Sequence, residues 1–170
     1  MGSAAVQLAK TKRAKILGTV TKTSGLEQVK HLPVDHWITL DQEDLVLKTR
    51  ELTEGRCADL ILDTVGNPLF EQGLKCLARR GRQVCIASTN GPRVEFSLMD
   101  FYHKESTLKG VDSLKLSFKE TGGILRDLAR LVEREKIPPP TVRAIPLEES
   151  LAAYAAILEG SSREKTVIRF

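Results

Sequence analysis

The residues best suited to chemistry fall in four short runs rich in Gly, Ser, Thr and Asp. Gly2-Ser3-Ala4-Ala5 opens one apolar-periodic stretch, and Thr21-Lys22 closes an apolar, β-branched one. Asp63-Thr64-Val65-Gly66 and Ser88-Thr89-Asn90-Gly91 close two more. A helix that begins on small residues lets a phosphate approach its free backbone N–H groups, where the helix dipole favours negative charge. Thr21 and Lys22 offer a hydroxyl and an ammonium, groups that hold a phosphate ester by charge-assisted hydrogen bonds. Asp63 reads as a turn-orienting carboxylate rather than a general base, because Asp readily bonds backbone N–H groups just ahead of it. Ser88 and Asn90 fit two readings equally, lining a ligand pocket or building the Asn90-Gly91 turn.

These runs can act together only if the chain sets them along one edge of a sheet. Two hydrophobic periods alternate in a way that does so. Helical spacing covers Ser3 to Arg13, Leu26 to Leu32 and a segment beginning near Asp41 with acidic residues in its first turn. Gly66-Asn67-Pro68 is expected to open a helix carrying Phe70, Leu74 and Leu77 on one face and stopped by Gly81. Further helices are expected over Ser97 to Lys104, around Ile124, Leu128 and Leu131, and around Leu151, Ala155 and Leu158. Strand patterns lie at Lys15–Val20, His36–Leu40, Ala58–Asp63, Gln83–Ser88, Thr107–Val111, Thr141–Ile145 and Thr166–Phe170. Pro138-Pro139-Pro140 favours an extended connector. Strands alternating with helices predict βαβ units, a parallel sheet and hence a doubly wound α/β fold. In such sheets ligands bind at the carboxyl ends of the strands, where three of the four runs fall.

Composition narrows the function classes. The chain has 170 residues, 41% hydrophobic and 28% charged, values typical of globular proteins. Lys and Arg number 26 against 22 Asp and Glu, a net charge of +4 that is too small to signal a nucleic-acid binder. Aromatic residues, at 5%, are too sparse for a base-stacking platform. The basic run Lys10-Thr11-Lys12-Arg13-Ala14-Lys15 is expected to be the solvated end of the first helix, where cations complement the dipole. No apolar run approaches the ~20 residues a membrane span needs. Cys57, Cys76 and Cys85 lack the short paired spacing of a zinc ribbon, and His31, His36 and His103 are scattered, so no metal site is expected. Free thiols and the lack of a signal-peptide pattern lead us to expect the cytoplasm.

Taken jointly, Gly2-Ser3-Ala4-Ala5-Val6-Gln7-Leu8-Ala9-Lys10, Asp63-Thr64-Val65-Gly66 and Gly81-Arg82-Gln83-Val84 follow the order and spacing of the medium-chain dehydrogenase/reductases. Phe96 to Gly110 and Pro146 to Phe170 extend the likeness to nearly the whole chain, which most resembles the quinone oxidoreductase and enoyl reductase branch. The resemblance implies a Rossmann-like domain over residues 1–145 that binds NAD(P)H. It implies that residues 146–170 form a helix and strand that, in the family, return to the catalytic domain. Gly2 resembles only the final glycine of the family's phosphate turn, so the sheet is expected to lack its usual first strand. That strand is central to the 3-2-1-4-5-6 order, and its loss is expected to separate the sheet halves or bring in another strand. Exposed edges of that kind promote association, so a homo-oligomer is expected.

The resemblance also implies roles for single residues. Gly2, Ser3 and Ala4 would face the pyrophosphate, and Thr64, Val65 and Ser88 would orient the nicotinamide. A hydride-transfer enzyme for a quinone or an activated double bond is the activity implied, of the quinone oxidoreductase and enoyl reductase type or a relative of the zinc-type alcohol dehydrogenases, with its proton donor in a domain outside these residues. Activity of this chain alone is not expected; the alternative is a non-catalytic product that folds by self-association. Val20, Thr21, Lys22 and Thr23 occupy the place where NAD-preferring domains carry an acidic residue. With no carboxylate in that run, NADPH is expected over NADH. Departures from the family are Gly25 where a lysine is common, Leu40 where a tyrosine is common, and Ala87 where a glycine is common. Glu164-Lys165 replaces a Gly-Lys pair, leaving Lys165 to reach a phosphate beside an acidic neighbour.

Overall fold

A computed structural model describes residues 1–89, 91–134, 136–139, 142–159 and 165–170. They form two units, Met1–Gly123 and Ile124–Phe170. The first unit opens with helix α1 (Gly2–Thr11), strand β1 (Leu17–Val20), helix α2 (Leu26–Val29) and strand β2 (His36–Thr39). Helix α3 (Leu45–Leu52), strand β3 (Ala58–Asp63), helix α4 (Phe70–Lys75) and strand β4 (Leu77–Cys85) follow. Helix α5 (Leu98–His103) and strand β5 (Thr107–Gly110) complete its sheet. Helix α6 (Phe118–Glu133) carries the chain onward to β6 (Val142–Pro146), α7 (Ser150–Leu158) and β7 (Lys165–Arg169).

Every strand pair is parallel, as helix-linked strands require. β1 pairs with β2, and β3-β4-β5 form a second sheet in that order; β6 pairs with β7 in the other unit. The sheet of the first unit is therefore divided between β1 and β3, the place where the family's central strand would lie. Leu60 and Leu62 of β3 are 59% and 41% exposed, an unusual state for the apolar residues of a parallel strand. The core of this unit gathers Phe70, Leu74 and Leu77, with Ile61, Cys85, Val94 and Phe101 packed against them. Phe96 bridges Phe70 and Phe101 at ring-centroid separations of 5.7 and 5.9 Å, tilted and edge-on.

Two local expectations are corrected. Leu77 packs with Phe70 and Leu74 as expected, but from the start of β4, because α4 ends at Lys75. Gly81, expected to stop that helix, lies within β4 instead. Ala58 pairs with Leu77 and Leu60 with Arg82, so four residues of β4 stand opposite Asp59 alone. A Cβ on Gly81 would lie 2.9 Å from the carbonyl oxygens of both Ala58 and Ala78, and this crowding is what reserves the position for glycine. The helix expected near Asp41 begins at Leu45, capped by Asp44, whose Oδ1 accepts from Leu47 N at 2.7 Å. The earlier acids are engaged elsewhere: Glu43 Oε2 accepts from Thr39 N and Oγ1, and Asp41 reaches the loop after β1. The remaining elements match their expected spans to within a few residues at each end, except the fourth strand pattern, Gln83–Ser88: its strand starts six residues earlier, at Leu77, and residues 86–88 are loop. α6 starts on a capping box, with Ser117 and Glu120 exchanging backbone bonds at 2.8 and 3.3 Å.

Candidate nucleotide site

The carboxyl ends of β3 and β4 lie side by side, since Asp63 is in register with Cys85. The loops that leave them are tied together by a chain of hydrogen bonds. Asp63, 7% exposed, accepts at Oδ1 from the backbone N–H groups of Val65 at 3.0 Å and Gly66 at 2.7 Å. Its backbone carbonyl accepts from Ile86 N at 3.1 Å. The Val65 carbonyl then accepts from both the N–H and the hydroxyl of Thr89, each at 2.9 Å. Gly66 stands at φ +75°, in the left-handed region, and a Cβ there would lie 2.9 Å from Ser88 Cα. Ser88 Oγ donates to the Gly91 carbonyl, closing the turn of the second loop. Asp63 thus has the turn-orienting role expected of it, with both carboxylate oxygens engaged by N–H donors.

Beneath this junction sits a group the motif reading passed over. Gln83 is fully buried, and its Nε2 donates to Asp63 Oδ2 at 3.1 Å and to the Phe70 carbonyl at 3.2 Å. A polar residue directly ahead of the apolar run Val84-Cys85-Ile86, at the start of an expected buried strand, was the available signal. Burial, followed by the neighbouring Asp63 charge, pushes the Cys85 thiol above its ordinary value.

The other candidate residues lie on separate elements. Gly2, Ser3 and Ala4 form the first turn of α1, which has no side-chain cap and no acidic residue in that turn. Its first N–H groups are therefore free of side-chain acceptors, the state an incoming anion needs. Thr21 and Lys22 are exposed directly after β1. Lys165 begins β7 in the second unit. Asn90 lies outside the described residues.

The loop after β1 carries a correction. Although Thr21-Lys22-Thr23 holds no acidic residue, Asp41 brings a carboxylate to it from beyond β2. Its oxygens accept from Thr23 N at 3.1 Å each, and from Thr23 Oγ1 at 3.1 and 3.4 Å. The Thr23 N–H, aided by its hydroxyl, holds the Asp41 carboxyl below the usual range. The two residues are 18 positions apart, and no local pattern would have paired them.

The family can be read from comparison with known proteins. Residues 1–129 match the zinc-binding dehydrogenase family, in which this region is the cofactor-binding domain of the medium-chain dehydrogenase/reductases. The chain belongs to that family. Quinone oxidoreductase 1 of Escherichia coli (strain K12) is 33% identical over 91 residues, 54% of this chain and 28% of that enzyme. Among solved structures, an NAD-dependent alcohol dehydrogenase superposes with a TM-score of 0.80 at 25% identity, over 99% of this chain and 47% of that one. Escherichia coli quinone oxidoreductase complexed with NADPH gives a TM-score of 0.78 at 24% identity, over 98% and 53%. The chain therefore matches about a quarter to a half of the length of these family members. Despite the family's name, the described residues contain no group of three or more His, Cys, Asp or Glu placed to hold a metal ion. His36 lies in β2 and His103 ends α5, while Cys76 precedes β4 and Cys85 ends it. No described helix is long and apolar enough to cross a membrane.

Proposed function

We propose that this chain is the cofactor-binding part of an NADPH-dependent oxidoreductase that reduces a quinone or an activated double bond. The observation that carries the reading is the tied pair of loops at the carboxyl ends of β3 and β4, in a chain of this family. Thr64, Val65, Gly66 and Ser88 would set the plane of the nicotinamide; Asn90, outside the described residues, is assigned to the same role from its place in the sequence. The first turn of α1, at Gly2, Ser3 and Ala4, would take the pyrophosphate on its uncapped N–H groups. These residues fit such a group because α1 presents donors without a competing acid and Gly66 keeps the loop junction free of a Cβ. When bound, the nicotinamide supplies the hydride; the protein's part is to orient it and to surround developing charge with fixed dipoles.

Lys22, exposed after β1 and in no ion pair among the described residues, favours a 2′-phosphate. Asp41 opposes it, so the preference for NADPH over NADH is expected to be modest. Residues 1–145 would serve as the nucleotide-binding domain and residues 146–170 as the return to a catalytic domain. We place the protein in the cytoplasm as a homo-oligomer acting on a small molecule. Fluorescence titration tests the cofactor: NADPH should bind below about 1 mM and more tightly than NADH, and binding of neither in that range contradicts the reading.

A second reading, a non-catalytic product that folds by self-association, is favoured by one observation. Among the described residues β1 and β3 each lack a partner on one side, and Leu60 and Leu62 of β3 remain exposed. A chain that sediments as a stable oligomer and binds no nucleotide would support it.

A further inference from the structure

We propose that Gln83 is a positioning residue, which fixes the Thr64–Gly66 loop by holding the Asp63 carboxylate from beneath. Asp63 has two jobs on its two oxygens. Oδ1 holds the N–H groups of Val65 and Gly66, while Oδ2 accepts from Gln83 Nε2 at 3.1 Å. The amide orientation is set by its surroundings, because Nε2 faces two acceptors, Asp63 Oδ2 and the Phe70 carbonyl. That orientation leaves Gln83 Oε1 buried with no hydrogen-bond partner. A core position that served packing alone would be better filled by an apolar side chain, since an orphaned buried acceptor costs stability. The orphan acceptor is thus the cost of presenting Nε2 to Asp63.

The surrounding sequence accommodates this arrangement. Gly73 of α4 faces Gln83 Oε1, and a Cβ there would lie 2.6 Å from that oxygen. Glycine in a helix interior is unfavourable by roughly 1 kcal/mol relative to alanine, so its presence here calls for a packing reason. Clearance for the Gln83 amide is that reason. From Gln83 the order passes through Asp63 to Val65 and Gly66, and through the Val65 carbonyl to Thr89. One buried amide therefore bears on both loops of the candidate site.

The consequence for nucleotide binding rests on the function proposed above; the consequence for the loops does not. Two variants test it by amide hydrogen exchange, read residue by residue, beside NADPH titration. Gln83→Met keeps the volume and removes the donor; Gly73→Ala keeps the glutamine but pushes its amide off Asp63. Both should speed exchange at Val65, Gly66 and Thr89 by about tenfold, while the β4–β5 ladder at Leu108 keeps its protection. A factor of ten corresponds to the worth of about one hydrogen bond. NADPH affinity should fall by about three- to tenfold in the same variants. Unchanged exchange at those three amides overturns the proposal, as does a loss spread evenly over the core. If Gln83→Met fails to fold, Gly73→Ala carries the comparison. If the unsubstituted chain binds no nucleotide, the cofactor reading falls, and exchange still decides the role of Gln83.

Discussion

Gly66→Ala probes the junction where the loops after β3 and β4 meet backbone to backbone. Alanine at φ +75° costs roughly 1–2 kcal/mol in the left-handed region, because its Cβ crowds the following carbonyl. A second cost is steric. The new Cβ would lie 2.9 Å from Ser88 Cα and 3.0 Å from the Ala87 carbonyl, both backbone atoms that cannot rotate away. Relief by a shift of the second loop would strain Thr89's bonds to the Val65 carbonyl, worth about 1 kcal/mol each. The total expected loss is about 2–3 kcal/mol. For a chain of this size that lowers Tm by roughly 4–12 °C, measured by circular dichroism or differential scanning fluorimetry. NADPH affinity, titrated at a temperature where the variant is folded, should fall at least about tenfold, because the loop that orients the nicotinamide has moved. A variant with an unchanged Tm and unchanged affinity would refute the reasoning about this junction.

Three other outcomes follow from the same structure. Asp41→Asn removes a negative charge from the loop that carries Lys22, where Asp41 bonds Thr23, and the ratio of NADPH to NADH affinity should rise about two- to threefold at low salt and less at high salt; titrations of both nucleotides at two ionic strengths check this. Asp35 and Glu105 are held below their ordinary values, Asp35 first by the Ile16 backbone N–H and Glu105 first by Arg80. Folded values below unfolded ones stabilise the native state above the unfolded values near 3.8 and 4.5, and that contribution disappears as pH falls through the lower folded values. Tm should accordingly be flat from about pH 7 to 5 and drop as pH falls toward 3. Leu60→Lys should reduce self-association in sedimentation velocity while leaving Tm within about 2 °C, since Leu60 is 59% exposed and its loss opens no buried cavity.

Much of this architecture was legible in the residues because parallel strands and their helices carry strong periodic patterns. Ala58–Asp63 was read to its final residue, and the junction at Asp63 and Gly66 could be anticipated from residue types that need particular backbone geometry. What escaped the reading depends on contacts between distant segments. Gly81 carries the same local signature as a helix stop, yet its neighbours Ala58 and Ala78 make it a strand glycine. The acidic run at Asp41 and Glu43 looks like a helix start, but both carboxylates satisfy backbone N–H groups of other segments. The Asp41 carboxylate on Thr23 and the Gln83 amide beneath Asp63 arise from pairings 18 and 20 residues apart, which no motif encodes.

The loops after β3 and β4 are proposed to hold a nicotinamide nucleotide. Backbone amide shifts recorded while NADPH is added to the isotopically labelled chain test this most directly. The largest changes should fall at Thr64, Val65, Gly66, Ser88 and Thr89, with a second set at Gly2, Ser3 and Ala4. Changes confined to other surfaces, or none up to about 1 mM nucleotide, would contradict it.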